Sequence, residues 1–141
     1  MILYCDTSVL VKRYVEEDDT DQVDLLWKKA SEVATSTVAY AEAVAAFRRK
    51  ERERFLSKGG YLRALKGLNE EFQTFILIQL SAQLNTMVLK LVEKYPLRGF
   101  DAIHLASTLI LNKEVGTDVI FACFDQKLNQ AAKKEGLKTA F

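Results

Sequence analysis

Ile2-Leu3-Tyr4-Cys5 is a short apolar run that ends at Asp6-Thr7-Ser8, the pattern of a strand buried on both faces that turns into a helix. An acidic, helix-compatible region follows from Glu16 to Ala30. Glu32 to Thr37 then offers a second strand that hands over to a helix capped by Ser36 or Thr37. That helix carries Glu42 and runs through Val38, Ala41, Val44, Ala45 and Phe47 into the basic stretch Arg48 to Arg54. Gly59-Gly60 separates it from a further helix spanning roughly Tyr61 to Phe72. A third strand is predicted at Thr74 to Ile78, after which Leu80, Leu84, Met87, Val88 and Leu91 repeat at helical spacing until Pro96. Phe100 to Asn112 reads as another helix and Asp118 to Phe124 as a fourth apolar strand. A last helix from Gln126 to Glu135 ends at Gly136, with a short terminal strand at Lys138 to Phe141. Strands that alternate with helices, without hairpin signals, predict an α/β fold: one domain over residues 1–141, with a central, mostly parallel sheet of four to five strands flanked by helices on both faces.

Composition supports this picture and removes some alternatives. A chain of 141 residues with 49% hydrophobic and 28% charged residues suits one folded domain with a sizeable core. Lys and Arg number 20 against 19 Asp and Glu, so no global positive field points to nucleic acid, and any such binding needs a local patch. The first residues lack a basic region and a long apolar core with a cleavage site, and no apolar stretch approaches the roughly 18 residues of a membrane span. The expectation is a cytoplasmic protein with no membrane association. Cys5 and Cys123 lie inside apolar runs and read as reduced, buried side chains.

The acids carry the chemical signal. In an open parallel α/β sheet, ligands bind outside the carboxyl ends of the strands, and Asp6 and Asp125 both follow apolar strands. Each also stands where an Asp caps a helix, so a purely structural role remains open for both. Glu42 has Val38, Ala39, Ala45 and Ala46 at helical spacing and no Lys or Arg to pair with. It sits either at the edge of an apolar face, reaching water, or buried and in need of protonation, a remote cation or a metal ion. Asp101 opens its helix, where the dipole alone favours an acid. His104, one turn on, reads as a packing residue and stays outside the predicted site. Four carboxylates at one sheet edge repel one another unless a cation neutralises them, and an all-oxygen set selects hard ions such as Mg²⁺ or Mn²⁺. Phosphodiester hydrolysis or phosphoryl transfer is the chemistry that suits such a site.

Asp6-Thr7-Ser8-Val9-Leu10, Glu42 in an alanine-rich helix, Asp101-Ala102-Ile103-His104-Leu105-Ala106 and Phe124-Asp125-Gln126-Lys127-Leu128 together resemble the PIN-domain family, most closely the VapC-type toxins of toxin–antitoxin modules. The resemblance covers essentially the whole chain. It implies a Mg²⁺- or Mn²⁺-dependent endoribonuclease acting on single-stranded RNA, with Asp6, Glu42 and Asp101 as core metal-binding and catalytic acids and Asp125 as the fourth. It also implies a supporting hydrogen bond from Ser8. Where many relatives carry a hydroxyl two places before the fourth acid this chain has Cys123; Asp118, the alternative, starts its strand at the opposite edge. The implied reaction is attack of water on the scissile phosphorus, giving 5′-phosphate and 3′-hydroxyl ends.

Arg48, Arg49, Lys50 and Arg52 could hold the RNA backbone, with Lys12 and Arg13 adding to the patch; the alternative is a solvated helix end. The apolar surplus between the third strand and Pro96 predicts a homodimer. The toxin resemblance implies a small cognate antitoxin that places an Arg or Lys against the acids and competes with the metal. Two other readings follow from the same resemblance: a catalytically silent module that binds RNA or protein, or an RNA-processing nuclease without an antitoxin. Phosphoaspartyl enzymes fit poorly, because Ser8 stands where a dehalogenase-type phosphatase needs a second Asp, and the only Pro is Pro96, away from where a receiver needs one.

Overall fold

Every position of the first strand is buried, as its uninterrupted apolar run requires. The computed structural model describes residues 1–141, and β1 (Ile2–Cys5) forms the middle of its sheet. Ile2 and Tyr4 point into one hydrophobic cluster while Leu3 and Cys5 point into another on the opposite face. The other elements are α1 (Thr7–Tyr14), α2 (Thr20–Lys29), β2 (Glu32–Ser36), α3 (Ala39–Arg52), α4 (Lys58–Phe72) and β3 (Ile76–Ile78). They are followed by α5 (Ala82–Lys94), α6 (Gly99–Glu114), β4 (Val119–Ala122), α7 (Gln126–Lys134) and β5 (Lys138–Thr139). All five strands are parallel, in the order β3-β2-β1-β4-β5.

Two helical layers cover the sheet. Leu84 and Leu91 of α5, Leu105, Ile110 and Leu111 of α6, and Leu128 of α7 fill one side. Val9 and Leu10 of α1 and Val23 of α2 fill the other. A third cluster, with Phe47 of α3 and Leu68 of α4 at its centre, joins α1, α3 and α4. The chain therefore builds a single α/β domain with helices on both faces, as the alternation of elements predicts. Strand order reverses at β1, so the carboxyl ends of β1 and β4 border the crevice where open α/β sheets bind ligands. No helix is long and apolar enough to cross a membrane.

Some boundaries differ from expectation for local reasons. Gly59 and Gly60 do not break the chain between helices; they form the first turn of α4, whose cap is Ser57 Oγ accepting from Gly60 N at 3.0 Å. A Cβ on Gly60 would lie 2.6 Å from Leu56 Cδ1, so the glycine serves a close approach. The actual break is the turn at Arg54, which has a left-handed φ of 63°. Neither Ser36 nor Thr37 caps the Glu42 helix: α3 starts after Val38, and Ser36 Oγ instead accepts from Val38 N at 3.3 Å. Thr74 and Phe75 close α4 through bonds to Glu71 and Phe72, which shortens β3.

Candidate active site

Asp6 leaves β1 where α1 begins, and its extended backbone makes it the helix cap. Oδ1 accepts from Ser8 Oγ at 2.6 Å and from Val9 N at 3.2 Å, while Oδ2 takes part in no hydrogen bond. The residue is 7% exposed. Burial is the largest influence on its carboxyl and pushes it up. Coulombic attraction to His104 and the bonds from Ser8 and Val9 pull it back, Asp101 repels it, and the net position is above the ordinary range. Phe124 N in turn donates to Ser8 Oγ at 3.4 Å, which ties the end of β1 to the loop after β4.

Glu42 projects from α3, whose small residues Ala39, Ala43 and Ala46 are buried and let the helix lie close to its neighbours. It is not unpaired. Thr7 Oγ1 donates to Oε1 at 2.7 Å and His104 Nε2 lies 3.1 Å from the same oxygen. An ionised carboxylate only accepts, so Nε2 carries the hydrogen. The other ring nitrogen, Nδ1, is 3.0 Å from the buried Tyr4 hydroxyl. Burial raises the Glu42 carboxyl, but bonds from His104 and Thr7 and the charges of His104 and Arg98 outweigh it and leave it below the usual range.

Asp101 lies in the first turn of α6, and Arg98 Nε donates to its Oδ2 at 3.2 Å. Asp125 is exposed and caps α7, with Oδ1 accepting from Leu128 N at 2.9 Å. The neighbouring Cys123 is buried, its thiol pushed up by burial and by the charges of Asp6, Asp125 and Asp101, and its sulfur reaches only the Asp125 carbonyl at 3.5 Å. Neither cysteine is paired.

Three cavities, linked through Glu42, Arg98 and Asp101, form a groove along the carboxyl edge of the sheet, and the buried Asp6 lines none of them. Glu42, Arg98, Phe100 and Asp101 line one of about 460 Å³. Glu42 also borders a second, of about 440 Å³, with Thr7, Ser8, Lys12, Arg49 and Lys50. Arg98 and Asp101 border a third, of about 460 Å³, with Asp125 and Lys127. Glu42, Asp101 and Asp125 line these cavities without converging on one another or on Asp6: no three His, Cys, Asp or Glu side chains are gathered as the ligands of an ion would be. Their chemistry nevertheless suits a hard cation, for Asp6 keeps one oxygen free and its buried charge is repelled by Asp101.

The basic residues divide. Lys12, Arg49 and Lys50 line the groove, although Lys50 already pairs with Glu17 at 2.7 Å and Lys12 lies over the Phe124 ring. Arg48 pairs with Glu51 at 3.1 Å and stacks on Tyr61, and Arg52 ends α3 exposed. Arg13 is not in the groove; it bonds Asp24 at 3.0 Å, approaches Glu71 at 3.7 Å and covers Trp27.

The sequence profile of the PIN domain matches residues 3–134. The chain belongs to the PIN-domain family. It is 26% identical over 139 residues to the Mycobacterium tuberculosis protein named ribonuclease VapC45, covering 99% of this chain and 94% of that one. The fold is shared with M. tuberculosis VapC20, described as a sarcin-ricin loop cleaving toxin, at a TM-score of 0.64 and 15% identity over 92% of this chain and 94% of that one. It is shared also with a toxin–antitoxin complex from Klebsiella pneumoniae, at a TM-score of 0.62 and 17% identity over 85% and 84% of the two chains.

Within this PIN domain, Thr7, His104 and Arg98 contact the acids and Tyr4 contacts His104; the sequence suggests His104 only as a packing residue and does not single out the other three. His104 is 2% exposed and satisfied, as a packing residue would be, but one of its partners is the acid Glu42 and the other the Tyr4 hydroxyl. A signal was available. A lone His on a buried helix face must satisfy two ring nitrogens, and the acids one turn away and across the crevice were the polar groups at hand.

Proposed function

We propose that this PIN domain is a cytoplasmic, Mg²⁺- or Mn²⁺-dependent endoribonuclease of single-stranded RNA and the toxin of a VapBC-type toxin–antitoxin module. The observation that carries the proposal is Asp6, a buried carboxylate at the strand-order reversal with one oxygen uncommitted and Asp101 repelling it. The likeness to a protein named ribonuclease VapC45 supports the reaction class, and the shared fold with a toxin–antitoxin complex supports the partner. Asp6, Glu42, Asp101 and Asp125 would hold the ion. When bound, a divalent ion offsets charge on the scissile phosphate and makes water a better nucleophile at neutral pH.

The chain's own residues do the rest. Ser8 and Val9 N fix the Asp6 carboxylate, and Thr7 and His104 fix Glu42, so both acids are oriented before substrate arrives. Keeping Glu42 ionised maintains negative charge for a cation even near the acid end of the physiological range. Lys12, Arg49 and Lys50 flank the groove on the α3 side and would hold RNA phosphates. A cognate antitoxin would gain most by setting an Arg or Lys against the same acids, and so would oppose metal binding.

Induced expression of wild type beside Asp6→Asn, scored for growth arrest and for sites of RNA cleavage, tests toxicity, nuclease activity and site together. Arrest and cleavage by wild type alone are expected. Equal cleavage by the variant, or none by purified wild type with either ion, overturns the enzyme reading. Weaker Mn²⁺ binding in the complex than in the isolated protein is expected by calorimetry; equal affinity would mean that the partner blocks RNA elsewhere.

A further inference from the structure

Phe100 is an exposed aromatic in an unusual place. It follows Gly99 in the first turn of α6, is 54% exposed, and sits between Arg98 and the site acid Asp101. The cavity it lines with Glu42, Arg98, Asp101 and Ile103, about 460 Å³, falls within the range of about 300–1,000 Å³ usual for small-molecule sites. Its walls combine one flat apolar ring and an aliphatic side chain with two carboxylates placed where the reaction is proposed to occur. Gly99 also lines it, and the space beside its Cα is open, since a Cβ there would meet nothing within 4 Å. Arg98 uses only Nε on Asp101; its side chain is 85% exposed, and its two Nη groups have no protein partner.

We propose that this cavity is a nucleobase subsite: the unpaired base beside the cleaved bond stacks on Phe100, and Arg98 holds the adjoining phosphate through its free Nη groups. The inference rests on the RNA-cleaving reading above. An RNA strand whose phosphate lies among the acids must place its next base somewhere, and this cavity shares Glu42 and Asp101 with the site, with no element between them. An aromatic face accepts a base only when that base is unstacked and free of its pair, so the subsite selects single strands. The only side-chain hydrogen-bond donors in its wall are those of Arg98, which the phosphate takes, and its two carboxylates are the ones assigned to the ion, so the subsite recognises that a base is present rather than which base it is.

The test uses short RNA oligonucleotides with a fluorescent purine walked through each position, titrated with wild-type protein in chelator so that nothing is cut. One position is expected to show stacking-type quenching with wild type and with Phe100→Trp, and to lose it with Phe100→Ala. Affinity should fall on the order of tenfold in Phe100→Ala, as for a lost base–aromatic stack. Removing the base at that position should weaken wild type by a similar factor and leave Phe100→Ala unaffected. Quenching at no position, or equal quenching by Phe100→Ala, overturns the proposal. So does a Phe100→Ala protein that binds RNA normally but falls from dimer to monomer by light scattering, which would make the ring a contact between copies. Because these readouts need no catalysis, absent cleavage by metal-loaded protein would refute the nuclease and leave the base site standing.

Discussion

Asp6→Asn should make the metal-free protein more stable while destroying its activity. The substitution keeps Oδ1, so the bonds from Ser8 Oγ at 2.6 Å and Val9 N at 3.2 Å survive and α1 keeps its cap. What disappears is a charge opposed first by burial and then by Asp101. A carboxyl raised above its unfolded-state value binds its proton more tightly in the folded protein. Its ionisation therefore adds nothing to folding at low pH and costs stability as pH rises through the folded value. Asparagine does not titrate, so the advantage of Asp6→Asn over wild type in chelator should be absent in acid and grow toward neutral pH. Asp6→Ala separates charge from capping: it removes the same charge but also the cap, worth about 1 kcal/mol. It should melt roughly 3–5 °C below Asp6→Asn, by the usual size scaling. Saturating Mn²⁺ should reverse the ranking, since ligand at a hundredfold excess over its dissociation constant adds about 2.7 kcal/mol to wild type and little to either variant. Calorimetric melts of the three proteins across pH, in chelator and in Mn²⁺, measure every part of this. A wild type more stable than Asp6→Asn in chelator at neutral pH, or one indifferent to Mn²⁺, would refute the reasoning.

The opposite sign is expected at Glu42. Its folded carboxyl lies below the ordinary range, so its contribution to stability is present above the unfolded value and lost as pH falls through the folded one. Glu42→Gln should therefore melt below wild type at neutral pH, converge with it in acid, and fail to cleave RNA. Asp101→Asn should also abolish cleavage yet change the melting temperature little, because its partner Arg98 is 85% exposed and surface pairs contribute little. Asp125→Asn should be milder in activity, and Asp125→Ala should lose about 1 kcal/mol with the α7 cap, read by denaturant titration. His104→Ala leaves the buried Tyr4 hydroxyl without its ring partner and Glu42 without a donor; a loss of about 1–3 kcal/mol is expected, partly recovered in Tyr4→Phe/His104→Ala. A homodimer is expected by light scattering, with Leu89→Asp driving it toward monomer, since Leu80, Leu89 and Val92 stay 38–58% exposed after the core has taken Leu84 and Leu91.

What the sequence conveyed and what it hid follow from the range of the interactions. Apolar runs ending in Asp are local patterns, and they located β1, β4, Asp6 and Asp125 at the same edge of a parallel sheet. Pairings across the fold are not local. Glu42 looked unpartnered because its helical neighbours are small and apolar, yet it takes bonds from Thr7, 35 positions away, and His104, 62 positions away. The basic stretch looked free for the same reason, whereas Lys50 meets Glu17 across 33 positions. Gly59-Gly60 misled differently: glycine pairs punctuate chains, but a Ser two places earlier recasts them as a first helical turn.

Helix cap and site ligand are compatible roles for Asp6. A carboxylate has two oxygens: capping α1 uses Oδ1 and leaves Oδ2 uncommitted. Asp125 repeats the arrangement on α7, capping through Oδ1 alone. Capping also supplies the rigidity that a ligand needs, because a side chain bonded to the backbone of its own helix has little freedom to turn away from an ion. A strand end that runs directly into a helix start thus places an oriented, half-satisfied carboxylate at the one edge of a parallel sheet where ligands collect.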